Sequence, residues 1–251
     1  IRDLVRSRGL GDVYKRQAGL FVFTDQSKKI SMYTGAYFSF GDANSSRYYE
    51  YSMGFDFRPI NALSLSFKPT YSIQNDPLQY VEMTDTENDK MYLFAQLDRK
   101  TLSFTFRLNL TLNPELSLEY YGQPYISAGE YKSFKKITSP RADEFTDRFY
   151  VFSNDEIVYN TDDNNYTLAE IINNMDDYSF DNPDFNFRQF HSNLVIRWEY
   201  RPGSTLFLVW SQGRTSRTSD GLFSYGSDMS ELFGVTPHNV FLVKFSYWLS
   251  L

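Results

Sequence analysis

The chain has 251 residues, a formal net charge of −6 and no cysteine. This length fits one large all-β domain or two small ones. Without cysteine the chain can form neither disulfides nor a thiolate-bound metal site. An acidic chain without a basic stripe is not expected to bind nucleic acid. The longest apolar run, Leu206 to Trp210, has five residues, whereas a membrane helix needs roughly 20, so no membrane helix is predicted.

Aromatic residues make up 18% of the chain, with 23 Phe and 20 Tyr. This fraction is high for a soluble domain, and two architectures explain it. A β-sandwich would hold the rings in its core, whereas a membrane β-barrel would hold them on its lipid-facing wall and in girdles at the membrane interfaces. The composition alone does not choose between them.

The first residues do not resemble natural protein. The stretch Ser7 to Gln17 resembles an in-frame translation of a transposon adapter used in sequencing libraries, and Ile1 to Asp3 resembles the end of that adapter in another frame. The alternative is a natural basic N-terminal arm. We exclude residues 1–17 from the fold prediction and expect 18–251 to be the C-terminal part of a longer protein, whose natural N-terminus and any signal peptide are missing.

Alternation with a period of two runs through most of the chain and predicts β-strands with two different faces. It is clearest over 101–112, where apolar residues at even positions alternate with polar ones at odd positions. About eleven strands are predicted, most of them near the roughly 9 to 11 residues that cross a bilayer at a tilt. They lie near 19–25, 29–41, 48–58, 63–73, 77–84, 91–97, 101–112, 116–127, 187–200, 204–212 and 239–250.

The connections favour a barrel over a sandwich. Short turns near 59–61, 113–115 and 201–203 fall at one end of the sheet, and the long segments 128–185 and 213–238 fall at the other, although 84–90 and 98–100 do not fit this sorting. Outer-membrane barrels have short periplasmic turns and long extracellular loops. We therefore predict an all-β, antiparallel, up-and-down transmembrane β-barrel, here a C-terminal fragment that is not closed.

Charged residues occupy the positions opposite the apolar ones, and in a membrane barrel they would face the interior, because Lys or Arg at mid-bilayer costs roughly 2 to 4 kcal/mol. There they would brace the wall or line a channel. They are Glu50, Arg58, Lys68, Arg107, Glu119, Arg197, Glu199 and Lys244. The last strand, 239–250, is amphipathic and aromatic, and it resembles the signal that outer-membrane barrel assembly machinery recognises.

The acidic segment 128–185 is long enough to be functional or disordered, and 166–175 could form a short helix. Four of its carboxylates are weak candidates for a Ca²⁺ site, because Ca²⁺ prefers carboxylate and carbonyl oxygens. They are Asp176, Asp177, Asp181 and Asp184. Their spacing lacks the order of a known calcium loop, so a solvated acidic loop is favoured.

No sequence motif predicts catalysis. The chain has two histidines, His191 and His238, and a pair of His191 with Ser192 or Ser211 would suit a barrel-borne hydrolase. Adjacent strand residues face opposite sides, and no G-x-S-x-G, H-E-x-x-H or phosphate loop is present. No catalytic or cofactor-binding residue is therefore assigned.

Three stretches carry a family resemblance: 97–103 (LDRKTLS), 118–125 (LEYYGQPY) and 182–210, which contains RWEYRPGST. They closely resemble a Bacteroidota-type family catalogued as a domain of unknown function (DUF5916), often preceded by a family-9-like carbohydrate-binding module. The resemblance covers most of 29–251 and implies an outer-membrane barrel without established catalytic residues. Members have a glycine in the Asp-rich loop before NPDFN, whereas 154–181 has none here, which speaks against a metal site.

We therefore expect a non-catalytic barrel in a bacterial outer membrane that captures or passes glycans or other nutrients, with recognition by loop 128–185 and the missing module. Membrane lipid, the assembly machinery and a glycan are the expected partners. Two alternatives remain. A hydrolase needs a Ser/His pair on one face, and a soluble β-sandwich binding module needs two packed sheets without a continuous apolar belt.

Overall fold

The computed structural model describes residues 16–41, 45–85, 90–168 and 178–249. Within these ranges the chain is all-β and antiparallel, as predicted, with one α-helix, α1 (Tyr225–Gly234), and one short 3-10 helix (Phe145–Arg148). None of the described helices is long and apolar enough to cross a membrane.

Nine strands follow one another in an antiparallel sheet that we call the large sheet, with every strand next to its neighbour in this chain order. They are β1 (Arg16–Phe23), β2 (Ile30–Phe40), β3 (Arg47–Ile60), β4 (Leu63–Asp85), β5 (Lys90–Asn113), β6 (Leu116–Ile137), β11 (Phe185–Arg201), β12 (Ser204–Thr218) and β13 (His238–Ser246).

The eleven predicted strands correspond to nine strands of the large sheet. The segments predicted as separate strands near 63–73 and 77–84 form the continuous β4, and those near 91–97 and 101–112 form the continuous β5. Asn75 pairs with Asp98 where two turns were expected. Ladder pairing therefore overrides the local turn signals there, and β-bulges, at which the register shifts between Asp76 and Gln79, absorb the irregularity.

Because β4 and β5 are continuous, the segments 84–90 and 98–100 are no longer exceptions to the pattern of short turns at one end of the sheet and long loops at the other. The strand ends that border 24–29, 61–62, 114–115 and 202–203 lie at one end of the sheet, and the strand ends that border 41–46, 86–89, 138–184 and 219–237 lie at the other. The tightest turn behaves as the Pro-Gly pair predicts, since Gly203 has a φ of 75°, which glycine adopts without strain. We call the two ends the turn end and the loop end.

The large sheet is not closed. Among the described residues, β1 pairs only with β2, and β13 pairs only with β12. This confirms the prediction of an unclosed sheet with two free edges. β1 also contains Arg16 and Gln17, two residues of the segment that the sequence prediction set aside.

The acidic segment 128–185 contains more strand than the sequence suggested. β6 continues to Ile137, and β7 (Phe149–Val151) pairs with it. A second sheet of three strands, the small sheet, then follows and consists of β8 (Ile157–Asn160), β9 (Asn165–Leu168) and β10 (Tyr178–Asp181). Residues 166–168, predicted as the start of a helix, belong to β9 instead, and 169–177 lie outside the described residues.

A hydrophobic cluster fixes the small sheet to the large one. Leu93 and Ala95 of β5, which are 1% and 0% exposed, pack with Phe134 and Phe152. From the small sheet, Leu168 and Phe180 complete the cluster. Ser133, at a φ of 51°, lies in a bulge of β6 beside Phe134. The cluster is the main core of the described chain and lies at the loop end.

Replacing Leu93 by alanine should loosen the small sheet. A buried Leu→Ala change costs about 2 to 5 kcal/mol, and Leu93 belongs to the cluster that joins the two sheets. We expect lower hydrogen-exchange protection in β8 to β10, with protection of β11 and β12 unchanged. Val158→Ala, at an exposed position of β8, is the control. Equal protection in both variants would contradict the packing described above.

Candidate functional site: two chemically different sheet faces and their covers

The register of the large sheet sorts its side chains into two faces. Residues directly opposite each other in neighbouring strands lie on the same face, and successive residues alternate. One row crosses eight strands through Ile30, Phe57, Leu65, Leu108, Tyr120, Leu194, Trp210 and Phe241. The next row, on the other side, runs through Ser31, Asp56, Ser66, Arg107, Tyr121, Asn193, Ser211 and Val240. We call them the apolar face and the polar face.

Much of the apolar face is open. Leu20 is 68% exposed, Met53 49% and Phe241 73%. The described residues form only two sheets, and the small one packs against Leu93 and Ala95, which alternation along β5 places on the polar face. The rings of the apolar face contact one another in pairs, such as Phe67 with Phe104 and Trp210 with Phe241.

The polar face carries the charged residues that the sequence placed there, and several have partners. The Arg197 guanidinium lies 2.8 Å from the Glu199 carboxylate. Lys68 lies over the Tyr33 ring, and Arg107 lies over the Tyr121 ring. These contacts hold cations in cation–π and ion-pair geometry. Bracing of the wall therefore occupies part of this face.

The small sheet covers the polar face at the loop end. The Tyr178 hydroxyl of β10 donates to the Glu82 carboxylate of β4 over 2.7 Å. Burial raises the pKa of Tyr178 to about 12, with the hydrogen bond to Glu82 adding to the effect. The phenol therefore stays protonated and keeps its role as donor at neutral pH. This hydrogen bond is a polar link between the sheets beside the hydrophobic cluster.

α1 covers the apolar face at the same end. Arg188 of β11 belongs to the apolar face by alternation but is only 2% exposed. Its Nε donates to Asp228 Oδ1 over 2.9 Å, and its Nη1 lies 2.6 Å from Glu231 Oε2. The Asn186 amide also donates to Asp228 Oδ1, over 2.8 Å. A buried cation is thus matched by carboxylates from the helix, which burial of a charge requires.

Part of the connection between β12 and β13 lies over this face. Phe223 lies beside Tyr71 of β4, and Tyr225 lies beside Phe104 of β5, with ring centroids about 6 Å apart. Arg214 of β12 donates to the Val235 carbonyl over 2.8 Å where the chain returns. Parts of this connection therefore lie over the apolar face between β4 and β12, whereas Ser219 accepts hydrogen bonds from Asn164 and Asn182 beside the small sheet.

The predicted calcium ligands do not form a site among the described residues. Asp176 and Asp177 lie outside them. Asp181 is exposed, and Asp184 accepts a hydrogen bond from the Tyr131 amide over 2.6 Å. In the described ranges no three His, Asp or Glu residues converge to hold a metal.

The predicted serine–histidine pairs do not form. Ser192 lies on the face opposite His191, because the two are successive residues of β11. The Ser211 hydroxyl donates to Asn193 Oδ1 over 2.6 Å instead. A hydrolase built on these pairs therefore has no geometric support.

Sequence inspection missed the buried Arg188–Asp228 pair and the small sheet. A signal for the first was present, since Arg188 has the parity of Phe190 and Leu194 and so interrupts an apolar face. Its partner, Asp228, lies 40 residues away in the chain. Because Asp228 belongs to a connection without period-two alternation, the sequence pattern does not predict which face it contacts. The small sheet consists of strands of only four residues, too short for a period to be recognised.

Replacing Asp228 by alanine should detach α1. The change leaves a buried guanidinium without its best-placed carboxylate, and breaking one side of a buried pair costs about 3 to 5 kcal/mol. We expect α1 to lose hydrogen-exchange protection and become cleavable by protease. Ser230→Ala, at an exposed position of the same helix, is the control. An unchanged α1 in the Asp228 variant would refute the role of the pair.

Replacing Asp184 by asparagine should remove a pH dependence. Burial raises the pKa of the Asp184 carboxyl above its ordinary value of 3.8, so folding favours the protonated form. This contribution is present at low pH and is lost as the pH rises through the raised pKa. Asparagine keeps an acceptor for the Tyr131 amide and carries no charge. Between about pH 4 and pH 7, protection of that amide, corrected for intrinsic exchange, should fall in the wild type but not in the variant. The same slope in both would contradict this.

Comparison with known proteins matches the chain to a family model. Neither a curated protein nor a solved structure is significantly similar to the chain. A family model described as a domain of unknown function (DUF5916) matches residues 12–251. Since this match covers nearly the whole chain, and the resembling stretches form β5, β6, β11 and β12 of the large sheet, the protein is a member of the DUF5916 family.

Proposed function

We propose that this chain forms part of the wall of a β-barrel in a bacterial outer membrane, with the apolar face toward lipid and the polar face toward an enclosed passage. The observation that carries the proposal is the apolar face of the large sheet, which is open except where the connection between β12 and β13 lies over it at the loop end. The proposed role is the capture or passage of polar nutrients, and glycans in particular, at the cell surface.

The hydrophobic effect supports the lipid-facing assignment. Apolar surface in water costs about 25 cal/mol per Å², and soluble monomers rarely expose large continuous apolar patches. In a bilayer the same side chains meet hydrocarbon. Between neighbouring strands the ladder hydrogen bonds satisfy the backbone groups without water, and a membrane-spanning sheet would also require partners for the free edges of β1 and β13.

The height of the apolar face fits a bilayer. On β4 the apolar positions run from Leu63 to Ile73, at every second residue, and this matches the roughly 9 to 11 residues of a tilted transmembrane strand. β4, β5 and β6 continue beyond this height at the loop end, where the small sheet lies. Strands that extend past the membrane and carry the long connections on one side are typical of the extracellular side of such barrels.

The polar face supports passage of a neutral, polar solute. It combines hydroxyl, amide and phenol groups with charges of both signs, and several cations already have partners. Gln123, Asn193 and Ser211 add amide and hydroxyl groups to this face, where they hydrogen-bond to neighbouring side chains. The choice of a glycan rests on the expectation, from the family resemblance, that members are often preceded by a family-9-like carbohydrate-binding module.

A pair of neighbouring substitutions tests which face meets lipid. Leu65→Lys should lower the free energy of unfolding in phospholipid vesicles by about 2 to 4 kcal/mol, because it places an ammonium in hydrocarbon. Ser66→Lys, one residue along on the polar face, should have an effect of less than about 1 kcal/mol. Denaturant titration of the refolded chain measures both. Equal effects, or a wild-type chain that stays monomeric in buffer without lipid or detergent, would refute the assignment.

Fractionation of cells that express the complete natural gene tests the location. We expect the product in the outer-membrane fraction, resistant to extraction by salt and released by detergent. Deletion of the gene should reduce uptake of a glycan relative to uptake of a monosaccharide. A product in the soluble fraction would refute the membrane assignment, whereas unchanged glycan uptake would refute only the solute.

A further inference from the structure

The two histidines of the chain lie on the polar face on either side of Gly213, although 47 positions separate them in the sequence. His191 of β11 pairs with Gly213 of β12, and Gly213 pairs in turn with His238 of β13. Directly opposite residues share a face, so both imidazoles stand on the side to which Gly213 contributes no side chain. Two strand spacings of about 4.8 Å put the two histidine Cα atoms about 10 Å apart.

The His191 ring leans into the gap above the glycine. Its Nδ1 lies 3.7 Å, and its Cε1 3.8 Å, from the point that a Cβ of Gly213 would occupy. Opposite Cβ positions are about 4.5 to 5.5 Å apart, so that point is close to the base of the His238 side chain. One ion with metal–nitrogen bonds of about 2.0 to 2.1 Å spans ring nitrogens that are about 4 Å apart, and the site requires the His238 side chain to turn toward this gap.

The surroundings leave both imidazoles free to bind. Both residues are exposed, and neither imidazole has a hydrogen-bond partner within the part of the chain that the structure describes. Neighbouring polar groups are engaged elsewhere: Ser211 donates to Asn193 over 2.6 Å, and Gln189 donates to Thr215 over 3.5 Å. Among the described residues no third histidine or carboxylate converges with them, so water would complete the coordination.

We infer that His191 and His238 form a two-histidine site for a late first-row divalent cation. Imidazole nitrogen suits Cu²⁺, Ni²⁺ and Zn²⁺, and the affinity order places Cu²⁺ first. The open positions would accept a donor atom from a solute at the polar face. The inference rests on the strand register and is independent of the proposed membrane role.

Titration of the untagged full chain in detergent micelles with Cu²⁺ tests the site. We expect one ion per chain by calorimetry, and electron paramagnetic resonance should show coupling to two imidazole nitrogens. His191→Gln and His238→Gln should each weaken binding at least tenfold and leave coupling to one nitrogen. Gly213→Val keeps both histidines but fills the gap between them, so it should weaken binding similarly. Ser211→Ala, on the same face, should bind like the wild type.

Several results would overturn the inference: no stoichiometric binding by the wild type, coupling to a single imidazole, or a histidine variant that binds as tightly as the wild type. Both histidines are exposed, so their glutamine variants are expected to fold, and a circular dichroism spectrum checks this. If Gly213→Val does not fold, the two histidine variants and the nitrogen coupling decide the outcome.

Discussion

The structure depends on unbroken side-chain alternation across the middle of the large sheet. A slip of one residue moves every side chain of a strand to the other face. Register shifts do occur in this sheet, but they lie near the ends of the strands, for example between Phe57 and Ile60 at the turn end and between Phe94 and Gln96 at the loop end. Between them the rows through Leu65 and Ser66 run from β2 to β13 without a shift. The apolar and polar faces exist because the bulges are kept out of this zone.

At the loop end, α1 and the small sheet lie on opposite faces of the large sheet. α1 lies on the apolar face where that face becomes polar, and its Asp228 carboxylate neutralises Arg188, a charge that neither hydrocarbon nor an apolar core would accept alone. The small sheet lies on the polar face where that face becomes apolar, and it buries Leu93 and Ala95. Each cover therefore matches the chemistry of the strand positions beneath it. Beyond these covers, toward the loop end, the large sheet no longer has one apolar and one polar face.

Under the proposed function, the connections at the loop end could vary while the paired strands stay constant. The paired strands fix the positions of the polar-face groups, while the connections at the loop end contribute most of the irregular chain. Binding residues generally lie on such connections, held by a rigid sheet. In this protein the connections between β6 and β11 and between β12 and β13 are the longest. Passage along the polar face and recognition at the loop end would then be separable properties.

The sequence by itself determined the strand character, the two faces and the assignment of residues such as Leu65 and Arg107 to opposite sides, because period-two alternation is a local property of the chain. It also located the Pro202–Gly203 turn, since glycine alone adopts that φ freely. Only the tertiary structure decided that β4 and β5 run through apparent turns, that Arg188 meets Asp228, and that His191 and His238 flank Gly213. These results depend on pairing between residues far apart in sequence, and the order of residues in one strand contains no information on the register of its neighbour.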